Sequence, residues 1–92
     1  MREVEYTAQF QRDFKREGKS PRGKVIHKKL EEAVELLCTD EPLPLRLRDH
    51  ALIGSYAGMR ECHLRPDLLL IYFKAGAHAL VLVRMGSHSE LF

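Results

Sequence analysis

The chain has 92 residues, of which 45% are hydrophobic and 30% charged, with a formal net charge of +2. This size and balance predict one folded domain, residues 1–92, and exclude a disordered chain. The longest apolar run, Leu68–Phe73, is far shorter than the ~20 residues that span a bilayer, and the first residues lack the apolar segment of a secretion signal. We therefore expect a cytoplasmic protein without a membrane partner.

One strand and two helices are predicted in the first half of the chain. Apolar and charged residues alternate over Arg2–Tyr6, which is typical of a short strand. Thr7 is a suitable N-cap for a helix that extends to about Glu17 and ends at a glycine. After a turn at residues 18–21, apolar residues at helical spacing indicate a second helix that ends before Pro42. These apolar residues are Ile26, Leu30, Ala33, Val34 and Leu37.

The second half has the patterns of strands. The candidate strands are Leu45–Leu47, Met59–Arg65, Leu68–Phe73 and Ala79–Val83. The third is continuously apolar, as in a central strand covered on both faces, and residues 74–78 indicate a hairpin connection after it. Ser87 and Glu90 have capping-box spacing and predict a final helical turn. The fold class is therefore α+β: an N-terminal strand, a two-helix hairpin and an antiparallel meander sheet of about four strands.

Four of the five histidines fall in the strand-rich half, at positions 50, 63, 78 and 88. We expect His78 to stay in the hairpin loop, whereas the other three lie near strand ends or turns. Along the strand that contains His63, alternation places Glu61 and Arg65 on the same face as His63 and the apolar residues on the other. Because the apolar face should point into the core, His63 should lie on the polar face. Strand ends of a small meander can converge on one surface, and the sequence permits this here.

Histidine accepts and donates protons near neutral pH, with an unperturbed pKa of ~6.5. Cutting RNA through its own 2′-OH needs both events, together with cations that oppose the charge of the pentacovalent intermediate. The candidate acid–base group is His50, His63, Asp67 and His88, and the candidate substrate-binding cations are Arg60, Arg65 and Arg84. This chemistry needs no cofactor.

The same residues allow simpler interpretations. Asp67 follows a proline and is a routine turn residue, and Arg84 near the end of an apolar strand can simply extend to solvent. The histidines and Asp67 are also suitable zinc or nickel ligands, although HxH or HxxxH spacing is absent. Cys38 and Cys62 are too few for a disulfide framework and should be buried thiols. The basic segment Arg12–Lys29 would either attract RNA or an acidic protein, or form solvated helix faces.

Three sequence blocks resemble the YafQ branch of the RelE/ParE superfamily of bacterial toxins. They are RDHALIG (Arg48–Gly54), GMRECHLRPDLLLIY (Gly58–Tyr72) and LVRMGSHSELF (Leu82–Phe92). The N-terminal strand and helices also match the family layout, so the resemblance covers nearly the whole chain. It implies a RelE-like microbial RNase-type fold and an mRNA interferase, an endoribonuclease toxin made beside a cognate antitoxin. Such toxins cleave mRNA in the A site of the 70S ribosome.

The resemblance also implies roles for individual residues. The acid–base group would again be His50, His63, Asp67 and His88, with Phe92 at its edge helping to place a base. We assign His88 as the general acid and His63 or Asp67 as the base or its orienter, while Arg84 would oppose phosphate charge. Where the family pattern has Trp after the aspartate, this chain has Leu68. Leucine cannot stack on a base as an aromatic side chain does, so substrate grip or codon preference is expected to differ.

Two other functions fit the same architecture. ParE-type toxins share the fold but poison DNA gyrase by binding it, without this histidine set. The presence of all four acid–base residues favours the nuclease over the gyrase binder. An inactive toxin kept as a repression partner of its antitoxin is the third interpretation.

Overall fold

A computed structural model describes all 92 residues of the chain. The strands are β1 (Glu3–Tyr6), β2 (His50–Ala51), β3 (Arg60–Arg65), β4 (Leu68–Ala75) and β5 (Ala79–Gly86). The helices are α1 (Ala8–Gly18), α2 (Gly23–Cys38) and α3 (His88–Leu91), with short 3₁₀ helices at Leu45–Leu47 and Gly54–Tyr56. None of the helices combines the length and the apolar character that crossing a membrane requires.

The five strands form one sheet in the order β1-β5-β4-β3-β2. Strands β2 to β5 make the antiparallel meander that the sequence predicts, and β1 joins its far edge parallel to β5. Thr7 connects this edge to the first helix: its hydroxyl accepts from the backbone N–H of Phe10 at 2.9 Å and donates to the carbonyl of Val83 at 2.6 Å. The predicted α+β class and the predicted N-cap are both confirmed.

The predicted strand at Leu45–Leu47 is wrong, because these residues form a 3₁₀ helix. Pro44 fixes its own backbone before the turn, and its carbonyl accepts from the backbone N–H of Leu47 at 3.0 Å. Arg48 then adopts a left-handed conformation, φ 49°, and ends the turn. Two leucines separated by one residue are too short a pattern to distinguish a strand from such a turn. The paired strand is His50–Ala51, so His50 lies within a strand rather than after one.

The sheet has a hydrophobic core on each face, and β4 contributes to both. Helices α1 and α2 cover one face, where Leu68, Leu70 and Tyr72 pack into the main cluster. Leu69 and Ile71 point to the other face and pack with Leu91 of α3. This two-sided cover explains the continuous apolar run of β4 and confirms the prediction made for it.

The two cysteines are free and buried, as expected. Burial is the main cause that raises the pKa of the Cys62 thiol to about 12, and the nearby carboxylates of Asp49 and Glu61 add to it. Cys62 is therefore a packing residue without thiolate chemistry at neutral pH.

A fully buried carboxylate joins α1 to the end of β5. Asp13 is 0% exposed and accepts hydrogen bonds from both Nε (3.1 Å) and Nη2 (3.0 Å) of Arg84. It also accepts from Arg16 Nη1, Gln9 Nε2 and the backbone N–H of Met85 at 3.0–3.1 Å. Burial alone would raise the pKa of Asp13, but hydrogen bonds from Arg84 and Met85 outweigh it and hold the pKa below its ordinary value.

Arg16 extends this network to the last helix. Its Nε lies 3.2 Å from Oε2 of Glu90, and its Nη2 donates to the carbonyl of Met85 at 3.0 Å. Glu90 in turn accepts from the backbone N–H of Ser87 at 2.8 Å and completes the predicted capping box of α3. A Cβ at Gly86 would lie 3.0 Å from both Arg16 Nη2 and Glu90 Oε1. The glycine therefore allows the close approach of these two side chains.

We expect Asp13→Asn to lower the free energy of unfolding by about 3 kcal/mol, because it leaves two guanidinium groups without their buried counter-charge. Since the folded pKa of Asp13 is lowered, its contribution is fully present above the unfolded value of ~3.9 and is lost as the pH falls through the folded value. Urea denaturation of parent and variant from pH 7 to pH 3 checks both points.

The matched control for this substitution is Asp40→Asn. Asp40 pairs with Arg2 and Lys74, but its side chain is 53% exposed, so its replacement should cost far less. Equal losses in the two variants would contradict the structural role of Asp13.

Candidate active site

Three imidazole rings lie in a row on the exposed surface near β2, β3 and α3. The ring centroids of His50 and His63 are 6.4 Å apart, and those of His63 and His88 are 5.8 Å apart. The row continues through Phe92, 6.2 Å from His88, to Tyr56, which meets Phe92 edge-on at 5.6 Å. The sequence expectation that these histidines converge is therefore met by the geometry. Tyr56 was not anticipated, because it lies in a short 3₁₀ helix in the connection between β2 and β3.

Three local features of the chain bring the rings together. The β2–β3 register sets His50 opposite Glu61, two residues from His63 on the same strand. The β3–β4 pairing shifts register between His63 and Arg65, just before the turn that carries Asp67. The capping box at Ser87 then starts α3 directly after β5 and fixes where His88 begins. The position of each imidazole thus depends on a different feature of the backbone.

Asp67 orients His88. Its Oδ1 accepts from the backbone N–H of His88 at 3.2 Å and lies 3.3 Å from His88 Nδ1. The backbone hydrogen bond and then the side-chain hydrogen bond lower the pKa of Asp67, so its carboxylate stays ionised and acts only as an acceptor. Nδ1 of His88 therefore carries the hydrogen of this contact, and Nε2 has no protein partner. Both side chains are mostly exposed, 58% for His88 and 70% for Asp67.

His50 and His63 differ in their partners. The ring of His50 is held on both sides, with Nδ1 2.7 Å from the carbonyl oxygen of Arg48 and Nε2 2.9 Å from Oε2 of Glu61. The His63 ring makes no hydrogen bond to another protein group and is half-buried between the other two rings. His63 is therefore the imidazole of this row whose two nitrogens are both available.

Two of the three predicted substrate-binding arginines are engaged by carboxylates. Arg84 is held by buried Asp13, and Arg60 donates from Nη2 to Asp49 Oδ2 at 3.0 Å. These hydrogen bonds are the main cause that raises the pKa of each guanidinium. Arg65 is in no ion pair and borders two surface hollows beside His63 and Asp67. Arg65 is thus the predicted cation that is most available to a phosphate.

A basic hollow of about 450 Å³ adjoins His63. Four cationic side chains line it, and none of them is in an ion pair: Lys29, Arg46, Arg48 and Arg65. The sequence did not group them, because they come from α2, a 3₁₀ turn and β3, and spacing along the chain does not reveal such convergence. Their summed positive charge would attract the phosphates of a polyanion.

Leu68 does not lie where a base could stack on it. Its side chain is 5% exposed and belongs to the main core cluster. The aromatic surface near the histidines is provided instead by Phe92, which is 62% exposed, with Tyr56 behind it. The expected effect of Leu68 on base stacking therefore cannot come from direct contact between this side chain and a base.

The metal-site interpretation finds no support in the geometry. No three His, Cys, Asp or Glu side chains are placed to share one metal ion. His50 is turned toward Glu61 and His88 toward Asp67, so these two imidazoles have carboxylate partners instead of a common centre.

Comparison with known proteins places the chain among bacterial toxins. The family model described as a bacterial toxin of the type II toxin–antitoxin system, YafQ, matches residues 2–92. The mRNA interferase toxin YafQ of Escherichia coli K12 is 39% identical over 92 residues, which cover 99% of this chain and 96% of the relative. The E. coli DinJ–YafQ complex superposes with a TM-score of 0.86 at 35% identity, covering 100% of this chain and 99% of the other. A metal-bound toxin from Helicobacter pylori superposes at 0.84 with 40% identity and full coverage of both chains.

We expect Leu68→Trp to lower the free energy of unfolding by about 1–3 kcal/mol, because a larger ring must enter a filled core. Ile53→Trp is the control, since Ile53 is 91% exposed and should tolerate the same ring. Urea denaturation of the two variants measures the difference. A Leu68→Trp variant with unchanged stability and stronger RNA binding would show that position 68 reaches the substrate after all.

Proposed function

The chain belongs to the YafQ family of toxins of bacterial type II toxin–antitoxin systems, and on that premise we propose how it acts. It is an endoribonuclease that cuts mRNA in the A site of the 70S ribosome by acid–base catalysis, with attack by the ribose 2′-OH and without a catalytic metal ion. The observation that carries the proposal is the row of three imidazoles with Asp67 on one exposed surface.

His63 is the general base of this reaction. Its two ring nitrogens are unoccupied by protein partners, and it lies between the other two imidazoles. It removes the proton from the 2′-OH, whose oxygen attacks the adjacent phosphorus and forms the new P–O bond. One such positioned base is typically worth ~10²–10⁴ in rate.

His88 is the general acid. Asp67 fixes the hydrogen on Nδ1 and stabilises the imidazolium, so Nε2 is the atom that offers its proton to the departing group. As the P–O5′ bond breaks, His88 gives its Nε2 proton to the 5′-oxygen. The products are a 2′,3′-cyclic phosphate and a 5′-hydroxyl end, and the two imidazoles have exchanged their protonation states.

The surrounding cations and rings hold the RNA. The four unpaired side chains of the basic hollow, Lys29, Arg46, Arg48 and Arg65, oppose the charge of the phosphates next to the scissile bond. Phe92 offers an exposed ring beside His88 on which a base can stack. Arg60 and Arg84 act on the phosphates only indirectly, because their guanidinium groups are already paired with Asp49 and Asp13.

The openness of the site supports dependence on the ribosome. His50 and His88 are at least half exposed, and Asp67 still more so, so the site has no deep cleft to hold an RNA strand in an in-line geometry. A partner that presents the strand already bent supplies the missing orientation, which is a large part of catalytic power. The ribosomal A site is such a partner.

A protein antitoxin is the second proposed partner. The E. coli relative has been solved in complex with the antitoxin DinJ, and we expect a cognate antitoxin for this chain. It would cover the basic helices or the histidine row. The gyrase-binding alternative is not favoured, because it gives no role to the imidazole row.

We expect His63→Ala and His88→Ala each to lose growth inhibition, with cleavage slowed by ~10²–10⁴ and thermal stability close to that of the parent. The measurement is induced expression followed by mapping of transcript 5′ ends, where the parent should produce cuts that are in frame and depend on translation. His78→Ala is the control, because His78 is exposed in the β4–β5 turn. Full toxicity of both site variants would show that the assigned chemistry is wrong.

We also expect cleavage to continue without divalent ions in the active site. Because ribosomes require magnesium, the test uses free RNA at high toxin concentration with a chelator. A substrate with 2′-deoxyribose at the cut position should be resistant, and the product should end in a 2′,3′-cyclic phosphate. Loss of cutting with the chelator would favour the metal interpretation, and a cut at deoxyribose would eliminate 2′-OH attack.

A further inference from the structure

Glu61 is a buried carboxylate directly beneath the histidine row. It is 4% exposed, and its Oε2 lies 2.9 Å from Nε2 of His50. Its other oxygen, Oε1, is buried without a hydrogen-bond partner. An unpaired buried carboxylate oxygen is costly to the fold, so a role in core stability does not explain this residue. Its single polar partner is His50.

The ring of His50 lies between two acceptors. The Arg48 carbonyl, 2.7 Å from Nδ1, can only accept, so Nδ1 carries a hydrogen. The 2.9 Å contact between Nε2 and Glu61 also needs a proton between its two atoms. A carboxylate can only accept a hydrogen bond, so with Glu61 ionised this proton lies on Nε2 and the ring of His50 carries both hydrogens.

No other charged group competes for His50 in this geometry. Glu61 and the ring of His63 face it from β3, and the Arg48 carbonyl faces it from the preceding turn. The neighbouring carboxylate of Asp49 is turned away, where it accepts from Arg60 and from the hydroxyl of Tyr72.

We propose that Glu61 is a positioning residue that keeps His50 doubly protonated. The His50 cation then opposes charge on the reacting phosphate and has no lone pair with which to act as a base, which leaves that role to His63. This inference rests on the proposed function, because it assigns different roles to His50 and His63 within the same site.

The direct test is the protonation state of His50, read from the ¹⁵N chemical shifts of its ring nitrogens near neutral pH. In the intact parent protein both nitrogens should have the shifts of protonated imidazolium. In Glu61→Gln, which keeps the size of the side chain but removes its charge, His50 should show one protonated and one unprotonated nitrogen. Glu32→Gln on the exposed face of α2 is the matched control and should leave the His50 signals unchanged.

Activity gives a second measurement on translating ribosomes. We expect Glu61→Gln to slow cleavage by about 10²-fold, the order found when one electrostatic stabiliser of a transition state is removed. In a His50→Gln background the same substitution should have no further effect, because Glu61 acts through His50. Thermal melting should stay at or above that of the parent, since the variant removes a buried carboxylate with an unpaired oxygen.

The outcomes separate this inference from the proposed function. A neutral His50 in the parent protein overturns the role of Glu61, even if the protein cuts mRNA as proposed, and this measurement needs no variant to fold. An additional loss from Glu61→Gln in the His50→Gln background would overturn it as well. A parent that cuts no mRNA while His50 is an imidazolium would refute the proposed function and leave the pairing with Glu61 intact.

Discussion

The buried carboxylate of Asp13 is the constraint on which the arrangement of the site depends. A carboxylate removed from water must be compensated by hydrogen bonds and opposite charge, and Asp13 obtains both from the end of β5 and from its own helix. The bonds to Arg84 and to the backbone of Met85 fix the last strand against α1, and Arg16 passes the restraint on to Glu90. His88 and Phe92 lie on the segment that Glu90 anchors. The position of the proposed acid is therefore set by a buried charge that is not part of the histidine row.

Sequence patterns predicted the fold correctly where a hydrophobic pattern or a capping motif was long enough to distinguish a helix, a strand or a turn. Thr7, Ser87 and the apolar run of β4 each carry a local signal that packing does not override. The strand at Leu45–Leu47 failed because three alternating residues fit a 3₁₀ turn equally well. Proton-transfer chemistry and the resemblance to YafQ toxins both selected the histidines and Asp67, and the structure adds their spacing.

The residues that sequence reasoning missed share one physical feature: their partners are distant along the chain. Glu61 is an ordinary polar strand residue until the β2–β3 register sets it opposite His50. The basic hollow exists only because α2 passes beside β3 and the turn before β2. Asp13 had a weak signal, since it follows Phe10 by three residues on the helical face that should be apolar. A charged residue on such a face indicates a buried partner but does not identify it.

The position of β5 has a consequence for how the toxin is made. β5 is the last strand to be synthesised, yet it lies inside the sheet between β1 and β4. Until the ribosome has completed it, β1 has no neighbour to pair with, α1 has no counter-charge for Asp13, and α3 with its imidazole does not exist. The closed sheet and the histidine row therefore form at the same step of folding, when β5 is inserted between β1 and β4 and α3 follows it.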